Sequence, residues 1–144
     1  MNELLLLCRI AGRNAAIPAV RVQSVIEVGD ITPLPGVPRF IRGLTALRSQ
    51  ALTVIDCSVA LGFESQPENP EQRAAVVDVD GHLYALLVEA AYDVGEARSD
   101  AIEVPGGFGA GWQAAARGLV ETDTGPTLLI DIETLVSGPV AQAA

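Results

Sequence analysis

At 144 residues the chain is a single-domain size, long enough to bury a core without disulfide or metal staples. Hydrophobic residues make up 49% of it, which excludes global disorder. The net charge of −9 repels phosphate backbones and anionic lipid, so neither nucleic acid nor a membrane surface is expected as a partner. All nine basic residues are arginine, the side chain suited to bidentate carboxylate contacts, although a compositional bias explains the missing lysines equally well. The charge is uneven along the chain. Residues 1–56 carry six arginines and four acids, whereas residues 57–144 carry three arginines and fourteen acids.

In chain order, Leu4 to Ile10 and Arg13 to Ala19 are apolar runs around a turn at Ala11-Gly12, which predicts a hairpin. Val20 to Val28 follows, with an alternation that slips between Val22 and Val25, the pattern of a bulge or bend. Pro33, Pro35 and Pro38 cannot donate to a central ladder, so Ile31 to Pro38 is an extended connector. Leu44 to Leu47 and Ala51 to Ile55 flank a turn at Arg48-Ser49-Gln50. Residues 64–73 are polar, with Pro67 and Pro70, and read as a linker. Ala74 to Val79 and Leu83 to Val88 form a second hairpin about Asp80-Gly81. Val104 to Gly111 reads as a glycine-rich flexible loop, and Leu119 to Thr122 with Thr127 to Ile130 closes the series.

The last pair repeats an earlier one. Arg42-Gly43-Leu44 leads to Ile55-Asp56 over the same ungapped interval that separates Arg117-Gly118-Leu119 from Ile130-Asp131. Each Asp stands where a helix N-cap belongs, and Gly62 or Gly138 stands where such a helix would stop. A weaker echo relates Gly12 with Ala16-Ile17 to Gly81 with Ala85-Leu86. The expectation is one domain over 1–144, built of repeat units 4–63 and 74–137 joined by the linker 64–73 and ending in a short tail, 138–144. Two copies of one strand-rich unit predict an all-β fold of two small barrels with short flanking helices.

Chemistry-bearing patterns are scarce. His82 is the sole histidine and follows a turn glycine, which makes it a solvated hairpin residue rather than a general base. Gly107-Phe108-Gly109-Ala110-Gly111 superficially resembles a phosphate loop but follows Pro105-Gly106 in acidic surroundings. Trp112, the only tryptophan, reads as a packing residue. No catalytic residue, metal ligand or cofactor site is expected. Leu4-Leu5-Leu6-Leu7 is too short for a signal-peptide core, Glu3 opposes a positive leader, and the apolar runs are of strand length. Cys8 and Cys57 lack metal or redox spacing and read as small hydrophobes in a reducing compartment. The expected location is the cytoplasm, without direct membrane insertion.

Ile31-Thr32-Pro33-Leu34-Pro35 through Pro38, then Gly43-Leu44-Thr45-Ala46-Leu47-Arg48, then Val54-Ile55-Asp56, resembles the CheW family of chemotaxis coupling proteins. Val25-Ile26-Glu27-Val28, Leu87-Val88-Glu89 and Leu129-Ile130-Asp131 extend the likeness over residues 4–136. The resemblance implies two five-stranded SH3-like barrels and a non-enzymatic scaffold. Such a scaffold joins the cytoplasmic tips of chemoreceptors to the regulatory domain of a chemotaxis histidine kinase. It also implies receptor-facing roles for Val25, Glu27, Gly43 and Arg48. Each has a plainer reading: core packing for Val25, a solvated strand residue for Glu27, backbone geometry for Gly43, and an ordinary exposed arginine for Arg48. Where the family usually has Asn-Leu-Arg-Gly, this chain has Ala46-Leu47-Arg48-Ser49. Thr53 replaces the usual proline, and Glu89 stands where Asp is typical. The missing turn glycine is expected to change the hairpin, because Ser tolerates positive φ poorly. The alternatives are a divergent CheW-like module of another signalling pathway and a small-ligand-binding β-barrel protein. The absence of a polar cluster favours the scaffold.

Overall fold

The apolar runs of strand length become strands, and four of the breaks between them become two-residue turns. The computed structural model describes residues 3–65 and 72–138. Its strands are β1 Leu4–Ile10, β2 Arg13–Pro18, β3 Val22–Glu27, β4 Ile41–Leu47, β5 Gln50–Asp56, β6 Arg73–Val79, β7 His82–Val88, β8 Ala90–Glu96, β9 Ala116–Thr122 and β10 Gly125–Ile130. The short helices are α1 Cys57–Ala60, α2 Ala110–Ala115 and α3 Ile132–Ser137. In the β1–β2 and β6–β7 hairpins both turn residues have positive φ, Ala11-Gly12 at 50° and 76° and Asp80-Gly81 at 53° and 83°. That is the type I′ signature, whose twist matches the strands it joins. The slip expected in Val20 to Val28 is a 3₁₀ turn at Ala19–Arg21 followed by a register shift between Val22 and Ser24.

The strands form two five-stranded SH3-like barrels, ordered β8-β1-β2-β10-β9 and β3-β6-β7-β5-β4. The halves of the sequence do not correspond to the barrels. The hairpin β1–β2 joins β8, β9 and β10 of the second half, and the hairpin β6–β7 joins β3, β4 and β5 of the first. Two equivalent parallel pairings weld the exchange: β2 beside β10, with Ala15 opposite Leu128, and β7 beside β5, with Tyr84 opposite Thr53. The uneven charge of the two halves is therefore distributed across both barrels.

This exchange explains why the strands read as continuous apolar runs instead of clean alternations. On β1, Leu5 and Leu7 face the interior of their own barrel, whereas Leu6, Cys8 and Ile10 face a core shared by both barrels. On β6 and β7 the same division places Ala74, Val76, Ala85 and Leu87 inside the second barrel. Ala75, Val77, Leu86 and Val88 face the shared core, which the three helices complete with Cys57, Trp112, Ile132 and Leu135. Trp112 is fully buried there, and its indole Nε1–H has no acceptor among the described residues.

Two elements differ from the sequence reading. Residues 90–96 form β8, an edge strand unread because Asp93 and Gly95 interrupt its apolar pattern. The glycine-rich stretch is ordered packing, not a flexible loop: Gly106–Phe108 is a 3₁₀ turn, and Gly111 lies within α2. A Cβ on Gly111 would sit 1.7 Å from the Leu61 carbonyl oxygen, so glycine lets α2 press against the end of α1. The expected linker falls mostly on residues 66–71, outside the described residues, and Arg73 already belongs to β6. Of the expected tail, Gly138 ends α3 with φ 92°, and residues 139–144 lie outside the described residues.

Because one core serves both barrels, they are expected to unfold together. Leu86→Ala should lower stability by about 2–5 kcal/mol, as for other buried leucine truncations, while calorimetric and van't Hoff enthalpies stay equal. Two resolved transitions would show that the barrels are independent.

The buried thiols make alkaline stability a second test. Burial pushes the Cys8 thiol from 9.0 up to about 12, and Cys57 moves in the same direction for the same reason. A group whose folded pKa is raised favours folding fully below its unfolded pKa and loses that contribution as pH rises toward the folded value. The urea midpoint should therefore fall between about pH 9 and pH 12, and a Cys8→Ala variant should fall less steeply over the same window.

Candidate partner-binding surface

The residues singled out from sequence lie on the barrel built from β3 to β7, at its two edge strands. Along β3, Ile26 packs on that barrel's interior, so its neighbours Val25 and Glu27 point outward. Val25 exposes 37% of its surface, so it is not simple core packing. Glu27 makes a 3.9 Å contact with Arg73 between half-exposed side chains, a pairing of small energetic consequence. Arg48 stands at the tip of the β4–β5 hairpin at the opposite edge of the sheet, with no hydrogen-bond or ion-pair partner among the described residues.

The hairpin without the glycine is a tight turn with both loop residues at positive φ. Leu47 pairs with Gln50, which leaves a two-residue loop, and Arg48 and Ser49 adopt φ of 50° and 71°. The ladder on both sides dictates the turn, and Ser49 accepts the left-handed conformation that glycine would adopt without penalty. Arg48 is thereby held on a turn strained by two non-glycine residues at positive φ.

Gly43 is buried and its role is steric. A Cβ there would sit 2.1 Å from the carbonyl oxygen of Thr32. The close approach lets Thr32 and Leu44 exchange backbone hydrogen bonds of 2.8 and 2.9 Å, which ties the proline-rich connector along the β4 edge. Thr45 adds an Oγ1–H bond to the Asp30 carbonyl at 2.9 Å. Gly118 performs the same task in the other barrel, where Ile102 and Leu119 exchange bonds.

Both aspartates of the repeat cap helices, as their positions predicted. Asp56 Oδ1 accepts from the N–H groups of Ser58 and Val59 at 3.1 and 3.3 Å, and Asp131 Oδ1 accepts from Thr134 at 3.3 Å. Asp56 is fully buried, and its second oxygen accepts from Arg42 at 3.1 Å. That ion pair supplies the counter-charge which a buried carboxylate requires, and the sequence reading missed it. The equivalent Arg117 turns instead toward Glu3 at 3.5 Å.

The exchange of strands also generates a twin of the candidate surface. Register on β6 and on β1 makes Val25 and Glu27 equivalent to Val94 and Glu96 of β8. The turn pair Arg48-Ser49 corresponds to Asp123-Thr124 between β9 and β10. Val94 is 54% exposed, and Asp123 is bound to Arg98 at 2.6 Å. The offset relating Gly12 to Gly81 also relates Val25 to Val94, so extending that weak echo would have found the twin. His82 is exposed as expected, tilted against Tyr84 at 5.2 Å and 3.4 Å from Thr53 Oγ1. Among the described residues, no three metal-ligating side chains converge. No helix there is long and apolar enough to cross a membrane.

The model of the CheW-like domain matches residues 4–139. The chain belongs to the CheW-like family. It is 28% identical over 117 residues to the chemotaxis protein CheW of Thermotoga maritima, covering 80% of this chain and 75% of that protein. It is 28% identical over 131 residues to a probable chemotaxis protein CheW of Rhizobium etli, covering 87% and 83%. The crystal structure of the scaffolding protein TtCheW from Thermoanaerobacter tengcongensis superposes with a TM-score of 0.81 at 24% identity, over 94% of this chain and 92% of that one. The family is one of scaffolds, and this chain is a coupling protein of chemotaxis-type signalling.

The strained turn yields a measurable expectation. Ser49→Gly should remove a left-handed cost of about 1–2 kcal/mol and return about 0.5–1 kcal/mol as unfolded-state entropy. The net gain is a rise in melting temperature of a few degrees at most. A fall would show that the Ser49 side chain contributes a contact of its own.

Proposed function

We infer that the protein is a non-enzymatic cytoplasmic scaffold that couples chemoreceptor tips to the regulatory domain of a chemotaxis histidine kinase. Membership of the family supplies the class of function. The observation that carries the finer reading is the pair of twin surfaces on the interlocked barrels. Each presents an exposed valine and a glutamate on an edge strand, but the hairpin tip offers a free Arg48 on one and a neutralised Asp123 on the other. Two surfaces of one geometry and unlike charge can hold two partners at once, and a shared core holds the partners at fixed separation. Linking two modest affinities in that way raises the avidity of an array without any new contact.

In this reading Val25, Glu27 and Arg48 face the receptor, with Arg48 as the anchor. Gly43 acts from beneath by holding the connector that borders them. Arginine is enriched among binding hot spots, and its planar fork suits a carboxylate on the partner. Arg48→Glu should weaken receptor binding by about 1–3 kcal/mol, through the lost anchor and added repulsion. Kinase binding and melting temperature should hardly move, since the side chain is exposed and has no hydrogen-bond or ion-pair partner among the described residues. Calorimetric titration with a receptor cytoplasmic fragment and with the kinase regulatory domain checks all three. Unaltered receptor affinity would remove Arg48 from the interface.

A further inference from the structure

Five of the nine arginines are held in ion pairs: Arg21 with Glu133, Arg42 with Asp56, Arg73 with Glu27, Arg98 with Asp123 and Arg117 with Glu3. Two of the remaining four, Arg9 and Arg13, flank the β1–β2 turn and line one cleft of about 300 Å³. Both are exposed, and neither has an ion-pair partner among the described residues. Phe108 forms the opposite wall, with the Arg13 guanidinium 4.7 Å above its ring. That contact fixes the direction of Arg13 while leaving its edge donors available.

The twin barrel shows that the fold does not demand these arginines. The positions equivalent to Arg9 and Arg13 are Asp78 and His82, on either side of the matching turn. There the carboxylate of Asp78 accepts from the turn amide of Gly81 at 2.8 Å, a local solution to an exposed N–H. With arginine at position 9 that solution is lost, and the Gly12 amide donates instead to Glu89, brought from another strand end. Phe108 belongs to the longer β8–β9 connector, and the shorter connector between β3 and β4 supplies no counterpart. One barrel has thus acquired two unpaired cations and an aromatic wall at a place where its twin carries an acid and a histidine.

We propose that this cleft is a docking site for an acidic segment of a partner protein, with Arg9 and Arg13 each taking a carboxylate and Phe108 covering the aliphatic stems. Bidentate arginine–carboxylate pairing is geometrically specific and charge-assisted. In a chain of net charge −9, two cations without an ion-pair partner among the described residues are a local exception that an acidic segment would single out by electrostatic attraction, even with the Glu89 carboxylate held on the Gly12 amide beside them. The site is separate from the Val25, Glu27 and Arg48 surface and does not rest on the receptor–kinase reading.

The test uses a capped ten-residue polyglutamate peptide as probe, followed by nitrogen–proton NMR of the whole chain at low salt. The expected result is saturable shifts at the Arg9, Gly12 and Arg13 amides and at the side-chain Nε–H groups of both arginines. The double variant Arg9→Asp with Arg13→His copies the twin barrel, so it should fold, and it should bind at least tenfold more weakly. Arg39→Gln, an unpaired arginine outside the cleft, should change affinity less than twofold. Should the double variant not fold, Arg13→His alone is read against the same threshold, with at least a threefold loss expected. Succinate at equal carboxylate concentration should not saturate the site. Shifts spread equally over Arg39 and Arg48 would overturn the proposal. So would an unweakened variant, or succinate binding as tightly as the peptide.

Discussion

The shared core between the barrels is the constraint on which the rest depends. Leu6, Cys8 and Ile10 from one barrel meet Ile55, Ala75, Val77 and Leu86 from the other, and three short helices fill the remaining gaps. Strands buried on both faces cannot tolerate a polar side chain on either, so β1, β6 and β7 are nearly uninterrupted apolar segments. Helices of four to six residues could not persist alone. They persist because Asp56 and Asp131 cap first-turn amides of α1 and α3, and because Trp112 of α2 and Ile132 and Leu135 of α3 are buried in the shared core.

Exchange of hairpins between the halves makes that core possible. A hairpin that stayed with its own half would give two small barrels with separate interiors, each of marginal size. The parallel pairings of β2 with β10 and of β5 with β7 instead commit each half to the other's sheet. The interlock ties the two barrels together through the core they share. The same geometry is printed twice on the surface, so chemical differences between equivalent positions stand out as additions to the fold. Arg48 against Asp123 is one, and Arg9 with Arg13 against Asp78 with His82 is another.

Glycine marks where the backbone, not the side chains, limits the design. Gly43 and Gly118 allow the connectors to close on β4 and β9, and Gly111 allows α2 to touch the end of α1. Ser49 shows the opposite case, where the ladder of β4 and β5 overrides the preference of the residue in the turn. Local propensity is a weak prior wherever cross-strand hydrogen bonds on both sides define the loop.

The sequence by itself determined nine of the ten strands, three of the hairpin turns and both capping aspartates, because these depend on local patterns: apolar runs, turn residues at positive φ and N-cap chemistry. It also carried the family likeness, since Gly43 and the capping Asp56 answer constraints within a short stretch of chain. Strand β8 escaped because an edge strand is exposed on one side and need not be apolar. The helix α2 escaped because its glycine serves a contact with Leu61, distant in sequence, and reads locally as a loop signal. Only the tertiary structure decided which half each hairpin joins, since parallel pairing between distant strands leaves no mark in either one. It alone turned Arg42 onto the buried Asp56 and brought Phe108 to the two arginines of the first hairpin.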